Sequence, residues 1–333
     1  MRLSAMRRFV QLALCLSTFS LEGCFFSFSY TSADSSGNNV TPSGEPCFTS
    51  TCGRAITIAT IPDAENMIFS SSGRLFVSGG LNVYEITASS GAATGYIATP
   101  LSSTQCNFTG LAIIQTTLFA GCFDGSLWTA SLAQSPVTLV RSASIPDVTA
   151  GNGLVDGPDG LSLYWINGPS GMVPKIVKIN LNSLNITGVV SSQVWLSSNI
   201  SFPNGLQRKG SVLFFTDSDS NSLGRIKRVN ILPGGAAGAV ENLAAFDSLP
   251  DDISFIDNDF IVPFYSSGKV ARVSALGLVL QSTDNNSFQS PSQVRLGRPP
   301  LFNTSDLIIT EKGVVGDNAS SVGNRLTLYR KNN

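Results

Sequence analysis

Histidine is absent from the 333-residue chain. Without it there is no serine–histidine triad, no histidine general base, and no ligand set for most zinc hydrolases. Charge is sparse as well. Only 13% of residues are Asp, Glu, Lys or Arg and the net charge is -1, so no nucleic-acid partner is expected and long exposed helices are not either. The longest N-terminal apolar run, Phe9 to about Leu21, falls short of the about 20 residues that span a bilayer comfortably. What is plentiful is Gly, Ser, Asn and Thr, with 42% hydrophobic residues. That mixture suits a globular chain of many short strands joined by turns.

The N-terminus places Arg2, Arg7 and Arg8 ahead of the apolar run, the order of a secretory signal over residues 1–23. The run ends in Leu21-Glu22-Gly23-Cys24, which resembles a bacterial lipobox, with Cys24 as the lipidated residue and Glu22 an unusual occupant of its position. The expectation is an exported lipoprotein of the bacterial cell envelope, on the periplasmic or outer-membrane side, touching the membrane only through that lipid. Ordinary secretion and an uncleaved anchor are the alternatives. Residues 24–53, rich in Ser, Gly, Asn and Pro after a few aromatics, read as a tether, and the folded domain as 54–333. Four further cysteines remain. Their order suggests disulfides Cys47–Cys52 and Cys106–Cys122, and their spacing does not fit zinc knuckles.

From residue 54 the chain repeats loosely. Six units each carry a turn, a short strand, a second turn, a strongly apolar strand and a more polar one. Their turns start at Glu65, Gly110, Asn152, Asn204, Asp251 and Ser292, spaced by roughly 40 to 50 residues, the period of one four-stranded blade. Runs such as "SLYWI", "VLFFT" and "NDFIVPF" are β-rich and lack a helical period. A six-bladed β-propeller is predicted; a two-sheet sandwich leaves the period unexplained.

In a propeller the innermost strand of each blade runs beside a common axis, so residues at the turn starts meet at the channel mouth. Glu65, Asn152, Asn204 and Asp251 would bring two carboxylates and two amide carbonyls there. Such hard oxygen donors suit Ca²⁺. Taken one at a time, these residues are ordinary turn formers; the shared phase is what points to a metal.

This ordered series, "DAEN", "GNGL", "PNGL" and "LPDDISF" with the closing "SPSQVRLGRPPLFNTSDLIITEKG", resembles the gluconolactonase, senescence-marker-protein and paraoxonase superfamily of calcium-dependent six-bladed propellers, with strictosidine-synthase-like proteins as cousins. The resemblance covers residues 55–331. It implies a metal held by Glu65, Asn152, Asn204 and Asp251, with Asp252 as a further candidate although strand alternation turns it away. It implies hydrolysis of a small-molecule lactone or ester, with Asp251 as base or nucleophile; Asp217 and Asp219 are reserve candidates.

One departure concerns the second unit. Where gluconolactonase-like enzymes carry Asn-Asp-Gly after an arginine, this chain has "QCNFTGL", so Asn107, Phe108 and Thr109 would border the substrate, and a less polar substrate than a sugar acid lactone is expected. The alternative function is a non-catalytic, calcium-plugged propeller that binds a ligand or protein at the cell envelope. A monomer is expected in either case.

Overall fold

A computed structural model describes residues 44–168, 173–219, 221 and 223–332. Signal, lipobox and most of the tether, Cys24 included, lie outside the described residues. Among the described residues there is no helix, and twenty-four strands form six four-stranded antiparallel sheets. The chain is a six-bladed β-propeller.

Five blades are consecutive in sequence. Their innermost strands are Met67–Phe69, Phe108–Ile114, Gly151–Asp156, Phe202–Lys209 and Ser254–Ile256. The sixth starts at Pro291–Leu296 and takes its outermost strand, Gly53–Thr60, from the other end of the chain, where Gly53 pairs with Lys331 and Thr60 with Arg325. This closure locks the ring. No local pattern marks it, because its partner is the C-terminal strand Gly323–Lys331.

The core consists of six apolar clusters, one at each junction between neighbouring blades. Leu154, Leu163, Trp165 and Val177 of the third blade, for example, pack on Ala112, Phe119 and Leu127 of the second. Second strands such as Thr117–Cys122 and Ser162–Asn167 are buried along their whole length, which explains their continuous apolar character. Each fully buried Leu, Ile or Phe contributes about 1.5–3 kcal/mol.

Packing begins earlier than the tether reading allows. Cys47 and Phe48 are 3% and 1% exposed and fill the junction of the fifth and sixth blades against Ile256, Val270, Phe288 and Tyr329. The Cys47–Cys52 disulfide closes this plug, and Cys106–Cys122 ties the loop ahead of the second blade's inner strand to the end of its second strand, with Cα separations of 5.7 and 6.1 Å. Paired cysteines of this kind belong to an oxidising compartment. Among the described residues no helix is long and apolar enough to cross a membrane.

Candidate functional site

The inner strands do not run smoothly past the axis. Pairing with the second strand slips between Phe108 and Gly110, Gly151 and Leu154, Pro203 and Leu206, and Pro291 and Gln293. Each slip is a β-bulge, which turns a side chain out of the alternating pattern. The bulges align Thr109-Gly110-Leu111 with Asn152-Gly153-Leu154 and Asn204-Gly205-Leu206. Thr109, and not Gly110, is therefore the second blade's counterpart of the two asparagines, a correction of one residue.

At this level the channel opens into a cavity of about 580 Å³ whose lining includes Glu65, Thr109, Asn152, Asn204 and Asp251. Four blades thus deliver the four oxygen-bearing side chains to one place. Glu65, Asn152 and Asp251 are 2%, 6% and 4% exposed, and Asn204 is half-buried. Their backbones are clamped from other strands: Thr310 Oγ1 donates to the Glu65 carbonyl at 2.6 Å, Trp165 Nε1 to the Asn152 carbonyl at 3.0 Å, and Thr216 Oγ1 to the Asp251 carbonyl.

Several side-chain oxygens at this site lack a well-formed hydrogen bond. Asn152 Oδ1, Asp251 Oδ1 and Asp63 Oδ1 are buried and accept no hydrogen bond, a costly state for a polar atom. Glu65 Oε2 meets the ammonium of Lys312, which also lies 3.7 Å from Asp63 Oδ1. Burial raises the pKa of Asp251, aided by the charge of Asp252, while Ser292 and Asn204 facing it pull the other way. The donor set fits a divalent cation that prefers oxygen: Asn152 and Asp251 present oxygens that accept no hydrogen bond, and Glu65 adds a second carboxylate whose partner here is the Lys312 ammonium.

Asp252 lies one layer deeper and does not line the cavity. Its Oδ2 accepts from Gln293 Nε2 and, at 3.4 Å, from Gln207 Nε2, while Oδ1 accepts the Ile253 amide at 2.6 Å. Gln293 continues to Asn66 Oδ1 at 3.0 Å, and Arg295 Nη2 donates to Gln207 Oε1 at 3.0 Å. A polar layer from four blades thus underlies the cavity floor. This position agrees with strand alternation, which turns Asp252 away from the cavity.

Of the residues expected beside the substrate, Asn107 and Thr109 line the cavity. Phe108 does not. It is fully buried between the first two blades, edge-on to Trp128 with ring centroids 5.6 Å apart, because the position before the bulge faces the core. Asp217 is also withdrawn: it accepts the Ser201 and Phe202 amides at 3.0 and 2.8 Å and pairs with Lys227 at 2.6 Å. Asp219 reaches the rim, held by Arg225 at 2.8 Å, which lowers its pKa.

Residues that the repeat pattern missed complete the wall. Phe123, Phe202, Leu249, Tyr265 and Val315 make it largely apolar, and Lys312 supplies its sole basic group among the described residues. Lys312 stands in "LIITEKG", an apolar strand ending in a charged pair; that break in the strand's character was the available signal.

No protein-family model matches the sequence, and no curated protein matches it. Solved structures do. A calcium-binding protein, regucalcin, from Agrobacterium tumefaciens superposes with TM-score 0.61 at 18% identity over 86% of this chain and 94% of that one. The PQQ-bound aldose sugar dehydrogenase of Streptomyces coelicolor gives 0.56 at 15% identity over 83% and 97%. A streptogramin B lyase gives 0.51 at 12% over 81% and 79%. These likenesses establish the fold. One scaffold carries different chemistries among them, so function has to be argued from the site.

Proposed function

We propose that this chain is an exported, calcium-dependent hydrolase of lactones or related esters. The observation that carries the reading is the group of inward oxygens on Asn152, Asp251 and Glu65, unsatisfied by hydrogen bonds or held only by Lys312, at the floor of one cavity. Glu65, Asn152, Asn204 and Asp251 would hold the ion, and the calcium-binding regucalcin with which this fold superposes supports that assignment. Calcium, when bound, polarises a carbonyl and offsets developing negative charge.

The protein groups do the rest. Asp251 takes the proton of the attacking water or attacks the carbonyl carbon itself; with no histidine in the chain, a carboxylate fills that role. Phe123, Phe202, Tyr265 and Val315 shield the site from water and favour a substrate with an apolar body. Asp252, bound to Gln207 and Gln293, fixes the backbone beneath Asp251. The signal-like N-terminus and the two disulfides support export, with Cys24 as the proposed lipid attachment point.

The test is hydrolysis of a panel of aliphatic and aryl lactones by purified protein with calcium or chelator. Calcium-dependent turnover that is lost in a folded Asp251→Ala variant supports the hydrolase. Calcium-stabilised melting without turnover of any lactone or ester identifies the binding-only propeller instead.

A further inference from the structure

Lys312 occupies an unusual place. It is 9% exposed, it lines the cavity, and its ammonium lies against Glu65, one of the carboxylates assigned to the metal. A second buried carboxylate, Asp63, stands 3.7 Å from the same nitrogen with Oδ1 accepting no hydrogen bond. We propose that Lys312 is a resident counter-cation that competes with the divalent ion for Glu65 and shifts to Asp63 when the ion binds. The inference rests on the metal reading above and adds a residue that sets metal affinity.

Both ends of this device are anchored. The Lys312 amide donates to the Ser290 carbonyl at 3.1 Å, so the backbone is fixed and only the flexible four-carbon stem moves. Asp63 is held by its own amide, which donates to Asn324 Oδ1 at 2.6 Å, and its Cβ lies only 2.8 Å from where a side chain on Gly80 would begin. The acceptor for the displaced ammonium is thus rigid and already within a short side-chain movement.

Two consequences follow from electrostatics. Without metal, Lys312 spares the fold a pair of uncompensated buried carboxylates, which are strongly destabilising. With metal, a divalent ion next to Glu65 must displace a positive charge, so affinity is lower than the oxygen set alone would give. Removing even about 1.4 kcal/mol of such competition tightens binding about tenfold.

Calorimetric calcium titration of wild type, Lys312→Met and Lys312→Gln, with melting of each in chelator, tests this. The expected result is calcium binding at least about tenfold tighter in both variants and a lower melting point than wild type in chelator. Wild-type binding with equal or weaker affinity in both variants overturns the competition. Folded proteins that take up no calcium in any form overturn the metal reading beneath it. The shift to Asp63 is read by a double-mutant cycle: Asp63→Asn should weaken calcium binding more in the wild-type background than with Lys312→Met, and an equal loss in both overturns that step.

Discussion

Gly205 backs directly onto Asp252: a Cβ on Gly205 would lie 2.2 Å from Asp252 Oδ1 and 2.3 Å from its Cα. Gly153 and Gly110 stand in the same relation to the blades after them, meeting Leu206 N at 2.6 Å and the Asn152 carbonyl at 2.4 Å. The glycine after each bulged residue therefore serves close packing of inner strands around the axis. Because the obstacles are mostly backbone, they cannot swing aside.

Gly205→Ala is expected to cost about 1–3 kcal/mol or more, as overpacking of a rigid site does. Urea denaturation measures it. Gly160→Ala is the control, since its φ is 63° but nothing lies within 4 Å of its added Cβ; it should show only the milder strain of a left-handed residue. Equal losses in the two would show that the neighbours of Gly205 give way and that the close approach is not costly.

The Asp217–Lys227 pair should be the most sensitive charged pair away from the cavity floor. Asp217 is wholly buried, Lys227 is 7% exposed, and Asp217 also holds the amides that lead into the inner strand carrying Asn204. Breaking a buried pair from one side costs about 3–5 kcal/mol. Asp217→Ala should lose stability on this scale in chemical denaturation, whereas Arg228→Ala, which breaks the exposed pair with Glu241, should change it by under about 1 kcal/mol.

How much of this was legible in the sequence depends on how local the signal is. The asparagine-glycine-leucine turns and the mostly apolar second strands repeat along the chain, so the blade count and the convergence of Glu65, Asn152, Asn204 and Asp251 could be read from spacing. The bulge at Thr109 could not, since an extra residue on one strand shifts the phase by one without changing composition. The closing strand Gly53–Thr60 and the Phe48 plug depend on contacts with residues far along the chain. Lys312 belongs with them: its partners Glu65 and Asp63 lie on the opposite side of the ring closure, and nothing near residue 312 announces them.

The pH dependence of stability should have an unusual sign without metal. Burial raises the pKa of Asp251, of Asp252 despite the nearby Arg295, and of Asp63 despite Lys312. Groups with raised values bind protons more tightly folded than unfolded, so their contribution is complete below the ordinary aspartate value of about 3.9 and is lost as pH rises through the raised values. Melting in chelator should therefore fall between about pH 5 and pH 7.5, and calcium should remove or reverse the slope. A melting point that rises over that interval in chelator would show that these carboxylates are not held near neutrality.

The most direct test is a crystal structure grown or soaked with calcium, with the ion located by anomalous scattering. One ion is expected at the cavity floor, ligated by side-chain oxygens of Glu65, Asn152, Asn204 and Asp251. A floor without an ion at saturating calcium, or an ion bound elsewhere with these four side chains unengaged, would contradict it.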